Sequence, residues 1–220
     1  MNARNNPFSS GCIDSLPYHF MDTNREELLL RLAALNCRAA IVGPEGSGKT
    51  TLLAELGRQL EKAGYRVVNL RFDRQRRSLT GKMIRKIRRE KPTAAAFLID
   101  GVEQLSRFSR MRLRFHLRRA GAVVVTSHGL GWLPVLVFTR TSPELLSLLV
   151  DRLLGVSGAL PAERIRRLYR KYNGNIRLGL RELYDEFTSS QNSGSPADPE
   201  ETIPSLRLCR KDDDFRKELS

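Results

Sequence analysis

This 220-residue chain has only three cysteines, three histidines and a single tryptophan. Cys12, Cys37 and Cys209 are odd in number, and their spacings fit neither a disulfide framework nor a zinc site, so inert thiols in a reducing compartment are expected. Long apolar runs are missing as well. Nothing approaches the roughly 18 residues needed to cross a bilayer, and the first twenty positions hold no continuous hydrophobic segment, which reads as a cytoplasmic protein without a membrane span. Acidic residues are scarce, with 24 Asp and Glu against 38 Lys and Arg, a formal charge of +14 and a pI near 10.4. Such an imbalance points to an anionic partner, whether nucleic acid, a phosphoinositide-like headgroup or an acidic protein surface. Hydrophobic residues make up 40% of the chain, enough for a core and too many for a wholly disordered or collagenous protein. The length suits one domain, or one domain with a small appendage.

What is present is an alternation. Residues 1–22 are turn-rich and polar and read as an N-terminal linker, after which Thr23-Asn24-Arg25-Glu26 forms a capping box ahead of an apolar stretch, Leu28 to Leu35. Short β-branched or apolar runs then alternate with amphipathic stretches. Strands are expected at 39–42, 65–72, 94–99, 122–126 and 133–138, and helices at 49–62, 79–89 and 102–119. Strands alternating with helices imply an α/β fold, a parallel sheet covered on both faces, across 23–140. Ser142-Pro143, Pro161 and Asn175 each open a further helix, giving a small all-helical lid over 141–187. From Thr188 to Ser220 the composition turns to Ser, Asn, Gly, Pro and acidic residues, read as a disordered tail in which Phe215 is the one candidate for docking.

Gly43-Pro44-Glu45-Gly46-Ser47-Gly48-Lys49-Thr50 matches the pattern of a phosphate-binding loop and lies between an expected strand and an expected helix, with Thr51 following on the helix. Glycines let successive backbone N–H groups turn toward phosphate oxygens, and the helix presents its positive end. Lys49 can neutralise β and γ oxygens, and the Thr50 hydroxyl can ligate magnesium. Such a loop needs an acidic partner at the end of a neighbouring strand. Ala94-Ala95-Ala96-Phe97-Leu98-Ile99-Asp100 supplies one, making Asp100 the second magnesium-side residue, and Glu103 follows one helical turn later. The nucleotide is expected to be ATP, since no Asn-Lys-x-Asp guanine-reading tetrapeptide occurs.

These motifs, in this order, resemble the AAA+ and signal-transduction branches of the P-loop ATPases, in particular small transposition- and secretion-helper ATPases. The resemblance spans about 6–187. It rests on Asn6-Pro7-Phe8, the phosphate loop, Ile99-Asp100-Gly101-Val102-Glu103-Gln104-Leu105, Val123-Val124-Val125-Thr126-Ser127-His128 and Gly174-Asn175-Ile176-Arg177. It implies a strand order of 5-1-4-3-2, a sensor-1 role for Thr126 or Ser127, a sensor-2 role for Arg177 and an ATPase activity with Mg2+. Two departures stand out. The residue after the Walker B Asp, usually a Glu that orients the attacking water, is Gly101, which leaves Glu103 as the candidate for that task. Residues 128–132 are also too short for the helix that usually carries an arginine finger. Two functional readings follow: an ATPase with an anion-binding face, or a nucleotide-gated adaptor that hydrolyses little and holds DNA or an acidic protein.

The charge excess is concentrated. Between Arg74 and Arg119 there are fifteen basic residues against Glu90, Asp100 and Glu103. On the expected helix at 102–119, Arg107, Arg110, Arg114 and Arg118 fall on one stripe, while Leu105, Phe108, Met111 and Phe115 fall on the side assigned to the sheet. Lys82, Arg85, Lys86 and Arg89 form a second stripe, against Met83, Ile84 and Ile87. Right-handed crossovers put both helices on one face of the sheet and make the stripes neighbours. Without aromatics in the stripes, stacking on single-stranded bases is not expected.

Overall fold

The computed structural model describes residues 6–193 other than Asp22. Of the tail read at 188–220, residues 194–220, with Cys209 and Phe215, lie outside the described residues.

Residues 17–140 form one unit and residues 6–16 with 141–193 another. The first is built on five strands, β1 (Arg38–Val42), β2 (Arg66–Arg71), β3 (Ala95–Asp100), β4 (Ala122–Ser127) and β5 (Val135–Phe138). All pairings are parallel, in the order β2-β3-β4-β1-β5, which is the expected 5-1-4-3-2. The inner strands read as unbroken apolar runs because both faces are covered: every residue of β4 is buried, as are the first five of β3. In this unit the helices are α2 (Arg25–Ala34), α3 (Lys49–Lys62), α4 (Gly81–Arg89) and α5 (Arg107–His116). α2 and α3 cover one face through Leu28, Leu32, Leu52, Leu56 and Leu60. α4 and α5 cover the other through Ile87, Leu113 and Leu117, with Phe72, Leu79, Val102 and Leu105.

Three local details depart from the sequence reading. The cap of α2 is Asn24 rather than Thr23: the Asn24 carboxamide accepts from the Glu27 N–H, and the Thr23 hydroxyl donates to the Glu27 carboxylate. The helix expected at 102–119 is broken. Residues 102–104 form a 3-10 turn, and Ser106 then caps α5 by accepting from the Ser109 N–H. That new start sets the rotational phase of α5. Its sheet side carries Ser109, Leu113 and Leu117, while Phe108, Met111 and Phe115, expected inside, are 64%, 62% and 61% exposed. Leu105 alone of the expected apolar side is buried, ahead of the break.

The second unit holds α1 (Ser10–Ser15), α6 (Pro143–Leu154), α7 (Ala162–Lys171) and α8 (Ile176–Ser193). Its core is Leu146, Val150, Leu153, Leu160, Ile165, Leu168, Leu180, Leu183 and Phe187, together with Phe8. The stretch read as a linker over 1–22 is therefore not one at 6–16. Phe8 is 1% exposed and meets Phe187 edge to face at 6.4 Å, and the Asn6 carboxamide donates to Tyr184 O at 2.9 Å. An apolar ring of that size anchors a short segment wherever it finds a pocket. At the other end, α8 runs past Phe187 into the stretch read as tail. Thr188, Ser189 and Ser190 lie on that continuation, and their hydroxyls donate to the carbonyls four residues earlier. Among the described residues no helix is long and apolar enough to cross a membrane.

Candidate functional site

Strand register assembles the site at the carboxyl edge of the sheet. β1 pairs with β4 so that Val42 lies opposite Ser127, and β2 pairs with β3 so that Arg71 lies opposite Asp100. β3 and β4 run side by side up to Ile99 and Val125, which sets Asp100 beside Thr126. β1 sends its crossover toward β2, whereas its neighbour β4 connects the other way, to β5, and the crevice beyond the carboxyl ends at such a reversal is where an open α/β sheet receives a ligand.

The loop 43–50 leaves β1 there. Gly46 and Gly48 take φ of +74° and +81°, and Gly48 starts α3 with no side-chain cap, so the first-turn N–H groups of α3 face out of the helix. At Gly43 a Cβ would collide with Thr139, whose hydroxyl shares a 2.6 Å hydrogen bond with the Ser47 hydroxyl while its N–H donates to Val42 O at 2.7 Å. Ser47 in turn donates to Pro44 O. Thr139, just beyond β5, thus braces the loop from behind; nothing in its local sequence singles it out. Gly48 is packed against the Tyr18 ring, and Pro44, Glu45 and Thr51 complete the segment.

Lys49 is 9% exposed and folds over the loop, donating from Nζ to Gly43 O at 2.8 Å and to Pro44 O at 2.5 Å. Burial lowers the pKa of its ammonium, and the carboxylates of Glu103, Asp100 and Glu45 work against that shift. The Thr50 hydroxyl lies 3.1 and 3.2 Å from the two Asp100 carboxylate oxygens. A hydroxyl and a carboxylate held this close are hard oxygen donors suited to Mg2+. Arg71, which the sequence did not flag, stands 3.8 Å from the same carboxylate.

Thr126 is turned toward Asp100. Its hydroxyl donates to Asp100 Oδ1 at 2.7 Å and accepts from the Gly101 N–H at 2.8 Å, which fixes the carboxylate and the turn behind it. Ser127 accepts from the Gly129 N–H through its side chain, and its carbonyl accepts from the Gly43 N–H.

The departure at 101 now has a structural cause. Gly101 sits at φ +75°, and a Cβ there would drive into the carbonyl of Phe72, so a side chain is excluded by both backbone and space. From that turn the 3-10 segment brings Glu103 round. Glu103 Oε1 meets His128 Nε2 at 3.2 Å, and Glu103 Oε2 is buried with no hydrogen-bond partner among the described residues. A buried, unpaired carboxylate oxygen is costly, on the order of 1–3 kcal/mol, unless water or a ligand fills its position. His128 follows β4 directly, at the end of the Val123 to His128 motif.

Arg177 stands exposed on the first turn of α8, in the helical unit. The basic residues named from the sequence divide. Lys82, Arg85, Arg89, Arg107, Arg114 and Arg118 are exposed, whereas Arg110 is half-buried and donates to Glu103 O and Leu105 O.

No protein-family model and no curated protein matches this sequence. Among solved structures the chain is similar to AMPPCP-bound DnaA from Aquifex aeolicus, at 18% identity and a TM-score of 0.47, over 80% of this chain and 68% of that one.

Proposed function

We propose that this protein binds Mg-ATP in the loop 43–50 and hydrolyses it with Glu103 as the water-orienting carboxylate, while its basic face holds an anionic partner. The observation that carries the first half is the loop itself: two left-handed glycines, a desolvated Lys49 and the N-terminus of α3, facing Thr50 and Asp100 only 3.1 Å apart. Backbone N–H groups and Lys49 would receive the phosphates, and Thr50 with Asp100 would hold the cation, which when bound neutralises charge between the β and γ oxygens. Thr126 would keep Asp100 in place. For Glu103 the support is its orphaned buried oxygen, which needs a hydrogen-bond donor such as water, and the His128 contact that fixes the other oxygen. Arg177 as a lid cation rests on the sequence resemblance alone.

Phosphate release from Mg-ATP tests the reading. Lys49→Ala should abolish nucleotide binding. Glu103→Gln should keep binding and lower turnover by about a hundredfold or more, the usual weight of a positioned acid–base group. Full turnover in Glu103→Gln would remove Glu103 from the chemistry, and absence of nucleotide affinity in the wild type would end the proposal. The adaptor reading is favoured by one observation, the side-chain-free Gly101; binding without turnover in the wild type would select it.

A further inference from the structure

The outward face of α5 carries two things together, a bare apolar ridge and a dense positive field. Phe108, Met111 and Phe115 are each more than 60% exposed and lie at i, i+3 and i+7, one line along the helix. The ridge spans about 10.5 Å at 1.5 Å per residue. Guanidinium groups lie over both rings, Arg112 at 5.7 Å from the Phe108 centroid and Arg118 at 4.7 Å from that of Phe115. The neighbouring α4 adds its own exposed Lys and Arg row with no acidic residue. Rings and Met of this size left in water are unusual on the surface of a monomer and mark a contact face.

The combination discriminates among anions. A duplex presents phosphates and hides its bases, so a duplex binder needs the charge and has no use for the ridge. An acidic protein helix would use the ridge, yet the face holds far more cations than such a partner could answer within one helix length. A polyanion with accessible flat apolar surfaces uses both, and a single nucleic-acid strand is such a polyanion. We infer that α5 is a binding platform for single-stranded nucleic acid, with Phe108 and Phe115 as stacking surfaces and Arg112 and Arg118 as phosphate contacts that also hold the rings. This rests on the reading of the face as anion-binding, and not on ATP.

Fluorescence anisotropy of the full chain tests it, with a labelled 20-nucleotide single strand of mixed sequence, the same sequence as a duplex, and phosphatidylserine vesicles scored by co-sedimentation. The single strand should bind at least tenfold more tightly than the duplex at one salt concentration. Phe108→Ala with Phe115→Ala should weaken it about tenfold per ring, and Phe108→Tyr with Phe115→Tyr should restore it. Both rings are exposed, so thermal unfolding of the variants should match the wild type. Equal or tighter duplex binding, affinity that ignores the rings, or binding to vesicles alone would each overturn the inference; the first two would leave a general anion-binding face standing.

Discussion

The two faces of one sheet are finished differently. α2 and α3 carry five basic and four acidic residues, α4 and α5 nine basic and none acidic. On the first face charge is answered internally. Glu55, 7% exposed, is held by Arg25 at 3.0 Å and by Arg58 and Gln59 on its own helix. Burial opposes ionisation of Glu55, but these donors outweigh it and hold its carboxyl below the usual range. On the second face no ion pair to the basic residues of α4 and α5 is found among the described residues. His116, between the two basic helices, is held below the ordinary histidine range by burial and then by Arg112 and Arg88. Self-repulsion of this kind is tolerated on a folded surface and relieved by an anion, which supports the proposal of an anionic partner on the second face.

The largest effects should show that both faces share an equally necessary core. Leu52→Ala under α3 and Leu113→Ala under α5, both fully buried, should each cost about 2–5 kcal/mol in denaturant unfolding. Phe115→Ala, two positions from Leu113 on the same helix, should stay within about 0.5 kcal/mol of the wild type. A large loss at Phe115 would mean that α5 packs by the other stripe.

A smaller effect distinguishes the faces by acid. Because the folded-state value of Glu55 lies below its unfolded value of about 4.3, its contribution is complete above that pH and is lost as pH falls through the lowered value. Glu55→Gln should therefore flatten stability against pH below about 4 and cost about 1 kcal/mol at pH 7. An unchanged acid limb in Glu55→Gln would break the claim that this face neutralises its own charge.

The smallest effect is on His116. Its folded value is below the unfolded one of about 6.5, so the unfolded chain takes the proton first and stability declines as pH falls through that region. In an NMR titration Arg88→Gln should move the His116 midpoint upward, and so should any anion that settles on the face. A midpoint indifferent to both would mean that burial alone sets it.

Much of the site was legible. The loop 43–50, Asp100 and the alternation that places both at one edge of a parallel sheet follow from motif and period. The orientation of α5 was not, because Leu105-Phe108-Met111-Phe115 and Ser109-Leu113-Leu117 both fall at helical spacing, and the first is the more apolar. Ser106 decided between them by starting the helix anew. The docking of Phe8 was hidden for a related reason, since a lone ring in a polar segment has no period to read.

The sequence by itself determined the strand–helix order, the glycine-rich loop between β1 and α3 and the concentration of charge, because these depend on neighbours in the chain. Only the tertiary structure decided that residue 101 must be glycine, that Glu103 takes up a place beside His128 with one oxygen unpaired among the described residues, and that two phenylalanines face outward. Each of those depends on what another strand or helix puts within a few ångströms, a distance that spacing along the chain does not encode.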